Sequence, residues 1–263
     1  MTAAGMTLAG AGVARRAVPL LMFIVLWQAL GTFHVVDTSF LPTPMMVGRA
    51  LTDLLTGPEI RDNLLATLLR VFAGLILGAA SGVALGVGMA RSPTFDAYVS
   101  PLVGATYSLP KTALVPLLIL WFGVGHLMAV AAVFLTCLLP VVVHTYHGVT
   151  ATPSVLVWSA QALGADRRQV LWRILLPHAL PDIFTGLRVA LGFAFVVAIS
   201  AEMIASTAGI GRLTFMYGEN GAYDYMFAAV ASIVLVAFVA DRAVLALGAA
   251  CLRWHESAAV EGS

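Results

Sequence analysis

SAQALGADRRQVLWRILLPHAL, residues 159–180, decides how this chain is read. Asp166, Arg167, Arg168 and Arg173 crowd into it, between two of the longest apolar runs in the protein. The chain around it is 60% hydrophobic and only 10% charged, with a mean hydropathy of +0.96. An ordinary soluble domain is about 25% charged. Apolar runs of 18 or more residues with few charges read as membrane spans. The sequence therefore predicts an all-α polytopic membrane protein that keeps one charged helical segment at the membrane surface.

Six spans fit the apolar runs: residues 17–36, 64–90, 98–123, 127–146, 181–206 and 225–247. Residues 1–63 then hold the first span and an outer polar segment with Pro42, Pro44, Gly57 and Pro58. Residues 64–251 form a five-helix core that includes a surface loop at 150–180, and 252–263 form a tail. The third span carries Pro101, Pro110 and Pro116, and the last loop is rich in glycine. Arg15 and Arg16 precede an apolar run too long for a cleaved leader, so this run reads as an uncleaved first span. Basic residues accumulate on the cytoplasmic side. Arg15, Arg16, Arg91, Arg167, Arg168, Arg173 and Arg253 fall on one side, which predicts cytoplasmic N- and C-termini and a cytoplasmic 150–180 loop. Gly74, Gly78, Gly82 and Gly86 recur every four residues on one face of the second span, the spacing that lets helices approach closely in lipid. Packing within the chain is the expectation for that stripe.

Other classes fall away. A net charge of +1 with no basic domain excludes a nucleic-acid binder. Cys137 and Cys251 each stand alone in apolar sequence, without metal-ligand spacing, and read as small buried hydrophobes. His144 and His147 lack a carboxylate partner and read as polar residues at a span end. G-x-S-x-G and H-E-x-x-H are absent, so the chain is not expected to be an enzyme.

Within the opening stretch, Leu163-Gly164-Ala165 reads as a helix stop. Asp166 reads as an N-cap with Gln169 at the third helical position, close to a capping box. Val170, Leu171, Ile174 and Leu175 make an apolar stripe flanked by arginines. Pro177 predicts a helix end near Leu176, and Pro181 the start of the next span. An amphipathic anchor on lipid headgroups accounts for the second helix. It accounts poorly for the segment from Ser159 to Gly164, where Ala160 and Ala162 offer no large apolar face. Small side chains suit a helix lying in a protein groove, so a soluble cytoplasmic partner is expected there.

The combination Ala160-x-x-Leu163-Gly164-Ala165 with Ile174-x-Leu176-Pro177-x-Ala179-Leu180-Pro181 resembles the cytoplasmic signature of binding-protein-dependent ABC transporter permeases. Leu41-Pro42-x-Pro44, Thr67-Leu68-x-Arg70-Val71-x-x-Gly74, Leu109-Pro110-Lys111, Trp121-Phe122-Gly123-x-Gly125, Thr185-Gly186-Leu187-Arg188, Glu202 and Gly209-Ile210-Gly211 extend the resemblance over nearly the whole chain, in the manner of the nitrate, sulfonate and taurine branch. In that family the 159–166 segment is a coupling helix seated in a cleft of the ATPase. The resemblance thus implies coupling roles for Ser159, Ala160, Ala162, Leu163, Gly164, Ala165, Asp166 and Pro177. The family places a glutamate six residues before the signature glycine; here that position is Trp158, which removes one expected polar contact and leaves the helix.

The resemblance further implies a type I importer permease in a bacterial inner membrane, acting as a homodimer. A cytoplasmic ABC ATPase and a periplasmic or lipid-anchored binding protein would be its partners. The chain has no G-x-x-x-x-G-K-[ST] loop, so no cofactor is expected on it and ATP is expected on the partner. Intramembrane ionisable groups are functional candidates by default. Lys111, Arg188 and Glu202 are therefore candidates for the translocation pathway of a small, anionic solute. Arg188 can instead snorkel to the inner interface, and Glu202 can bond another helix near the outer one. A self-contained secondary transporter is the alternative reading; inverted repeats, which would favour it, are not evident.

Overall fold

The computed structural model describes residues 3–253, with side chains from residue 18 onward. The side chains of Arg15 and Arg16, and the tail beyond Arg253, lie outside the described residues. Eleven α-helices and no strand occur among the described residues. They are α1 (Ala3–Thr32), α2 (Pro44–Thr56), α3 (Pro58–Arg91), α4 (Pro93–Tyr107), α5 (Val115–Phe122), α6 (His126–Thr150), α7 (Ser154–Ala162), α8 (Arg167–Val170), α9 (Leu176–Ala205), α10 (Ile210–Glu219) and α11 (Tyr223–Cys251). Four stretches are long and apolar enough to cross a membrane: α3, α6, the continuous run from α8 through α9, and α11. The apolar part of α1 with described side chains, Val18–Thr32, is shorter.

Two compact units divide the chain: Met1–Arg61 with Leu213–Ser232, and Asp62–Arg212 with Ile233–Ser263. In the first, the Trp27 ring packs between Phe23 and Phe227, and Phe40 meets Tyr223. The segment 37–63, read from sequence as a polar stretch, contains α2. Thr43 caps it by accepting from the Met46 N–H, Pro44 pre-sets its first turn, and Val47, Ala50 and Leu54 bury one face. After α1, Asp37 accepts from the Ser39 N–H at 2.8 Å, and that bond holds its carboxyl below the usual range.

The second unit is built on close contact between small residues. Gly74, Gly78, Gly82 and Gly86 of α3 lie against Val133, Cys137, Val141 and Thr145 of α6, at the same offset each time, so the two helices run parallel. A methyl group added at Gly74, Gly78 or Gly82 would sit 2.6–2.8 Å from the Cβ of its partner. The stripe read from sequence is therefore an intrachain seam. α6 also packs antiparallel to α9: Gly186 meets His144 while Gly148 meets Asp182. Ala190, Ala194, Ala198 and Ala201 present a fully buried small-residue face of α9. Such faces hold helices together in lipid through backbone proximity, because no hydrophobic force drives apolar surfaces together there.

The expected third span is not one helix. α4 and the segment Lys111–Phe122 are bent by 93° at a short break. Pro110 cannot donate to the helical ladder, and its ring disfavours helical backbone at Leu109. The Lys111 ammonium covers the resulting end by donating to the Tyr107 carbonyl at 2.5 Å. A second difference lies at Pro177, where a helix end was expected. The helix instead continues from Arg167 to Ala205, because a π-turn over Leu171–Leu175 precedes the proline. A wider turn absorbs the ladder bond that proline removes and the clash of its ring. Pro181 consequently lies inside α9. Cys137 is buried as expected, whereas Cys251 is exposed at the end of α11.

Candidate functional site

The surface segment is assembled by two local devices. α7 closes with a paired bond pattern in which the Ala165 N–H donates to the Ala160 carbonyl and the Gly164 N–H to that of Gln161, both at 2.9 Å. This closure requires a left-handed residue, and Gly164 supplies it at φ +87°. A Cβ there would meet nothing within 4 Å, so backbone conformation alone calls for glycine. Asp166 then starts α8 with a complete capping box: its carboxylate accepts from the Gln169 N–H at 2.6 Å, and its own N–H donates to Gln169 Oε1 at 3.0 Å. The bend and the cap fall where the sequence placed them.

The segment presents a surface instead of burying one. No residue of α7 is buried. Val155 and Trp158 are exposed, and Leu163, at the tip of the bend, is 89% exposed. Ser159, Ala162, Gly164 and Asp166 are exposed, and Ala160 and Ala165 are half-buried. Pro177 stands apart, half-buried at the start of α9. Of the stripe on the second helix, Val170 is buried and Leu171, Ile174 and Leu175 half-buried, with Trp172 and Arg173 pointing out.

The three charged candidates have different surroundings. Lys111 lies at the bend between α4 and α5, with its ammonium 5.4 Å from the centre of the Tyr107 ring. Glu202 is 0% exposed. Its carboxylate accepts from Arg70 Nη1 at 2.6 Å, from the Thr67 hydroxyl, and from the Gly211 N–H at 3.0 Å. Arg70 also donates to the Ala208 carbonyl and to His126 Nδ1. A Cβ at Gly209 would collide with the carboxylate, which explains glycine there at φ +123°. This cluster ties α3, α6, α9 and the start of α10 together. Arg188 forms a two-bond ion pair with Asp241 of α11, through Nε at 2.6 Å and Nη2 at 3.2 Å.

Arg188 and Glu202 belong to one helix but have different neighbours, α11 for one and α3 for the other. Arg70 and Asp241 were not singled out by sequence reasoning, although an arginine twelve residues into an apolar helix is itself a signal. Asp241 lies inside α11, with ten residues of the helix following it. His144 packs against Gly186 and His147 against the Tyr146 ring, and no group of three metal-ligating side chains occurs among the described residues.

Comparison with known proteins gives these features a family. Residues 74–250 match the model of the binding-protein-dependent transport system inner membrane component. The taurine transport system permease protein TauC of Escherichia coli K12 is 34% identical over 244 residues, covering 90% of this chain and 88% of that one. A putative aliphatic sulfonates transport permease protein, SsuC of Bacillus subtilis 168, is 28% identical over 236 residues, covering 90% and 86%. Among solved structures, the MetNI methionine ABC transporter in an inward-facing conformation aligns with a TM-score of 0.64 at 20% identity, over 75% of this chain and 96% of that one. A bacterial alginate ABC transporter aligns with a TM-score of 0.61 at 15% identity, over 92% and 96%. The helical fold is thus that of ABC importer permeases, and the chain belongs to the binding-protein-dependent transport family as a multi-pass permease subunit of an ABC importer.

Proposed function

We propose that this permease imports a small sulfonate-like anion, driven by a separate cytoplasmic ATPase that grips α7 and the bend at Gly164. The observation that carries the proposal is the exposure of Val155 and Trp158 on α7 and of Leu163 at its closed bend, while α7 buries none of its own residues. Apolar side chains held in one fixed geometry suit the desolvated centre of a protein interface. The continuous run from α8 into α9 gives the grip a mechanical route, since a displacement at Asp166 moves a span without a hinge at Pro177. Packed bundles then rock between two arrangements. ATP stays on the ATPase, a binding protein delivers the solute from outside, and two copies of the permease enclose the path. Both termini face the cytoplasm in this arrangement. The relatives named for taurine and aliphatic sulfonates support the solute class.

Copurification tests the grip. Leu163→Ser with Trp158→Ser should reduce recovery of the ATPase with the tagged permease at least severalfold, with permease abundance maintained. Undiminished recovery would show that the bend docks elsewhere. Uptake of labelled taurine by proteoliposomes containing permease, ATPase and binding protein tests the solute class; no ATP-dependent uptake of taurine or of alkanesulfonates would refute it.

A further inference from the structure

Two ion pairs occur among the described residues, and they differ in a way that points to different uses. Arg70–Glu202 is 1% and 0% exposed and is bound on several sides. Arg188–Asp241 is 49% and 28% exposed. Depth makes that exposure meaningful. Gly186 lies against His144, and the Cys137 thiol donates to the Ala190 carbonyl, so Arg188 lies level with residues 137–144 of α6. By helical rise this is roughly 17–27 Å from the start of a helix about 37 Å long. With α6 centred across a hydrocarbon core about 30 Å thick, the pair falls within that core. Charged groups at such depth face a bundle interior or a water-filled cavity, not lipid tails.

The wall beside the guanidinium also recedes. Gly192 is exposed one helical turn beyond Arg188, and a Cβ built there meets nothing within 4 Å. The pairing geometry is a side-on fork, Nε to Oδ1 and Nη2 to Oδ2. That fork fits any oxyanion presenting two oxygens, a sulfonate or carboxylate as well as Asp241.

We propose that Arg188 and Asp241 form an anion-exchange site in the wall of the translocation path. The guanidinium receives the anionic group of the passing solute, and Asp241 is the displaceable counter-ion that holds the arginine between passages. The anionic class of that solute rests on the function proposed above; the location and accessibility of the site do not. Arg70–Glu202, lacking exposure, is the structural pair.

The test uses membrane vesicles carrying the full transporter, with Cys251→Ser as background and Gly192→Cys, or Thr185→Cys on the exposed preceding turn, as reporter. The introduced thiol is titrated with anionic 2-sulfonatoethyl methanethiosulfonate and cationic 2-trimethylammonioethyl methanethiosulfonate. Both reagents should react from water. The anionic-to-cationic rate ratio should fall about tenfold on Arg188→Gln and rise about threefold on Asp241→Asn, as expected for one charge nearby in a partly desolvated cleft. Absence of labelling at both reporter positions, or a ratio indifferent to both substitutions, would overturn the proposal. If the ratio responds while reconstituted transporter takes up no sulfonate, the solute class fails and the site stands. If uptake proceeds while the ratio stays fixed, the site alone fails.

Discussion

Arg70 of α3 and Glu202 of α9 meet at 2.6 Å with almost no exposure to solvent. A buried pair of this kind is sustained by its further bonds, because desolvation offsets much of the direct attraction. Thr67, Ala208, Gly211 and His126 supply those bonds here. The pair therefore fixes where three helices and the chain after α9 meet, and its value lies in the ensemble.

Removing one partner should be worse than removing both. Glu202→Ala leaves a buried cation and should cost about 3–5 kcal/mol. Arg70→Met combined with Glu202→Leu should cost less than either single change. Thermal unfolding of the detergent-solubilised permease, run as a double-mutant cycle, measures the difference. Additive losses would show that the two charges are not coupled.

The glycine seam between α3 and α6 should tolerate no side chain. Gly78→Leu or Gly82→Val drives atoms into Cys137 or Val141 and should destabilise by about 1–3 kcal/mol for overpacking, or prevent folding. Gly104→Ala is the control, since a Cβ there meets nothing within 4 Å and alanine is favoured in helices by up to about 1 kcal/mol. Equal folded yields from the seam and control variants would contradict the parallel packing.

At the surface bend, Gly164→Val should uncouple transport from ATP hydrolysis while leaving the membrane part folded. The strain of a β-branched residue at φ +87° is at least about 1–2 kcal/mol. It falls on a closure remote from the α3–α6–α9 core. Solute-stimulated ATPase activity of the assembled transporter should drop with normal permease abundance. Asp166→Ala, which removes one capping bond worth about 1 kcal/mol, should show the same effect more weakly. Full stimulation in the Gly164→Val variant would mean the bend carries no force.

How much of this was legible in the sequence depended on whether the governing interaction is local. The Gly164 stop and the Asp166 box involve residues a few positions apart, and residue types alone reveal them. The glycine stripe showed its own face but not the partner, because Val133, Cys137, Val141 and Thr145 carry no distinctive pattern in an apolar run. Arg70–Glu202 and Arg188–Asp241 join residues far apart in the chain, so Glu202 and Arg188 stood out only as charges out of place and their partners did not. α2 lies hidden in the outer polar segment, although Thr43-Pro44 and the spacing of Val47, Ala50 and Leu54 carry a helix signature. The run through Pro177 was misread for a physical reason: a π-turn makes proline tolerable, and composition gives no sign of one.

Lys111 provides the remaining prediction, and two properties of the side chain separate its possible roles. Its ammonium donates to the Tyr107 carbonyl at the end of α4, next to the 93° bend. If its use is only to cover that helix end, Lys111→Arg, which retains a cationic donor, should keep uptake close to the unchanged level, and Lys111→Ala should lower folded yield along with uptake. If the positive charge also serves the solute path, Lys111→Ala should lower uptake severalfold at unchanged assembly with the ATPase, because water or a neighbouring hydroxyl can satisfy a carbonyl but cannot attract an anion. We expect the second pattern, since the ammonium is only half-buried and lies where a broken span opens its backbone. Initial uptake rates normalised to assembled complex decide the matter, and unchanged rates in Lys111→Ala would refute the pathway role.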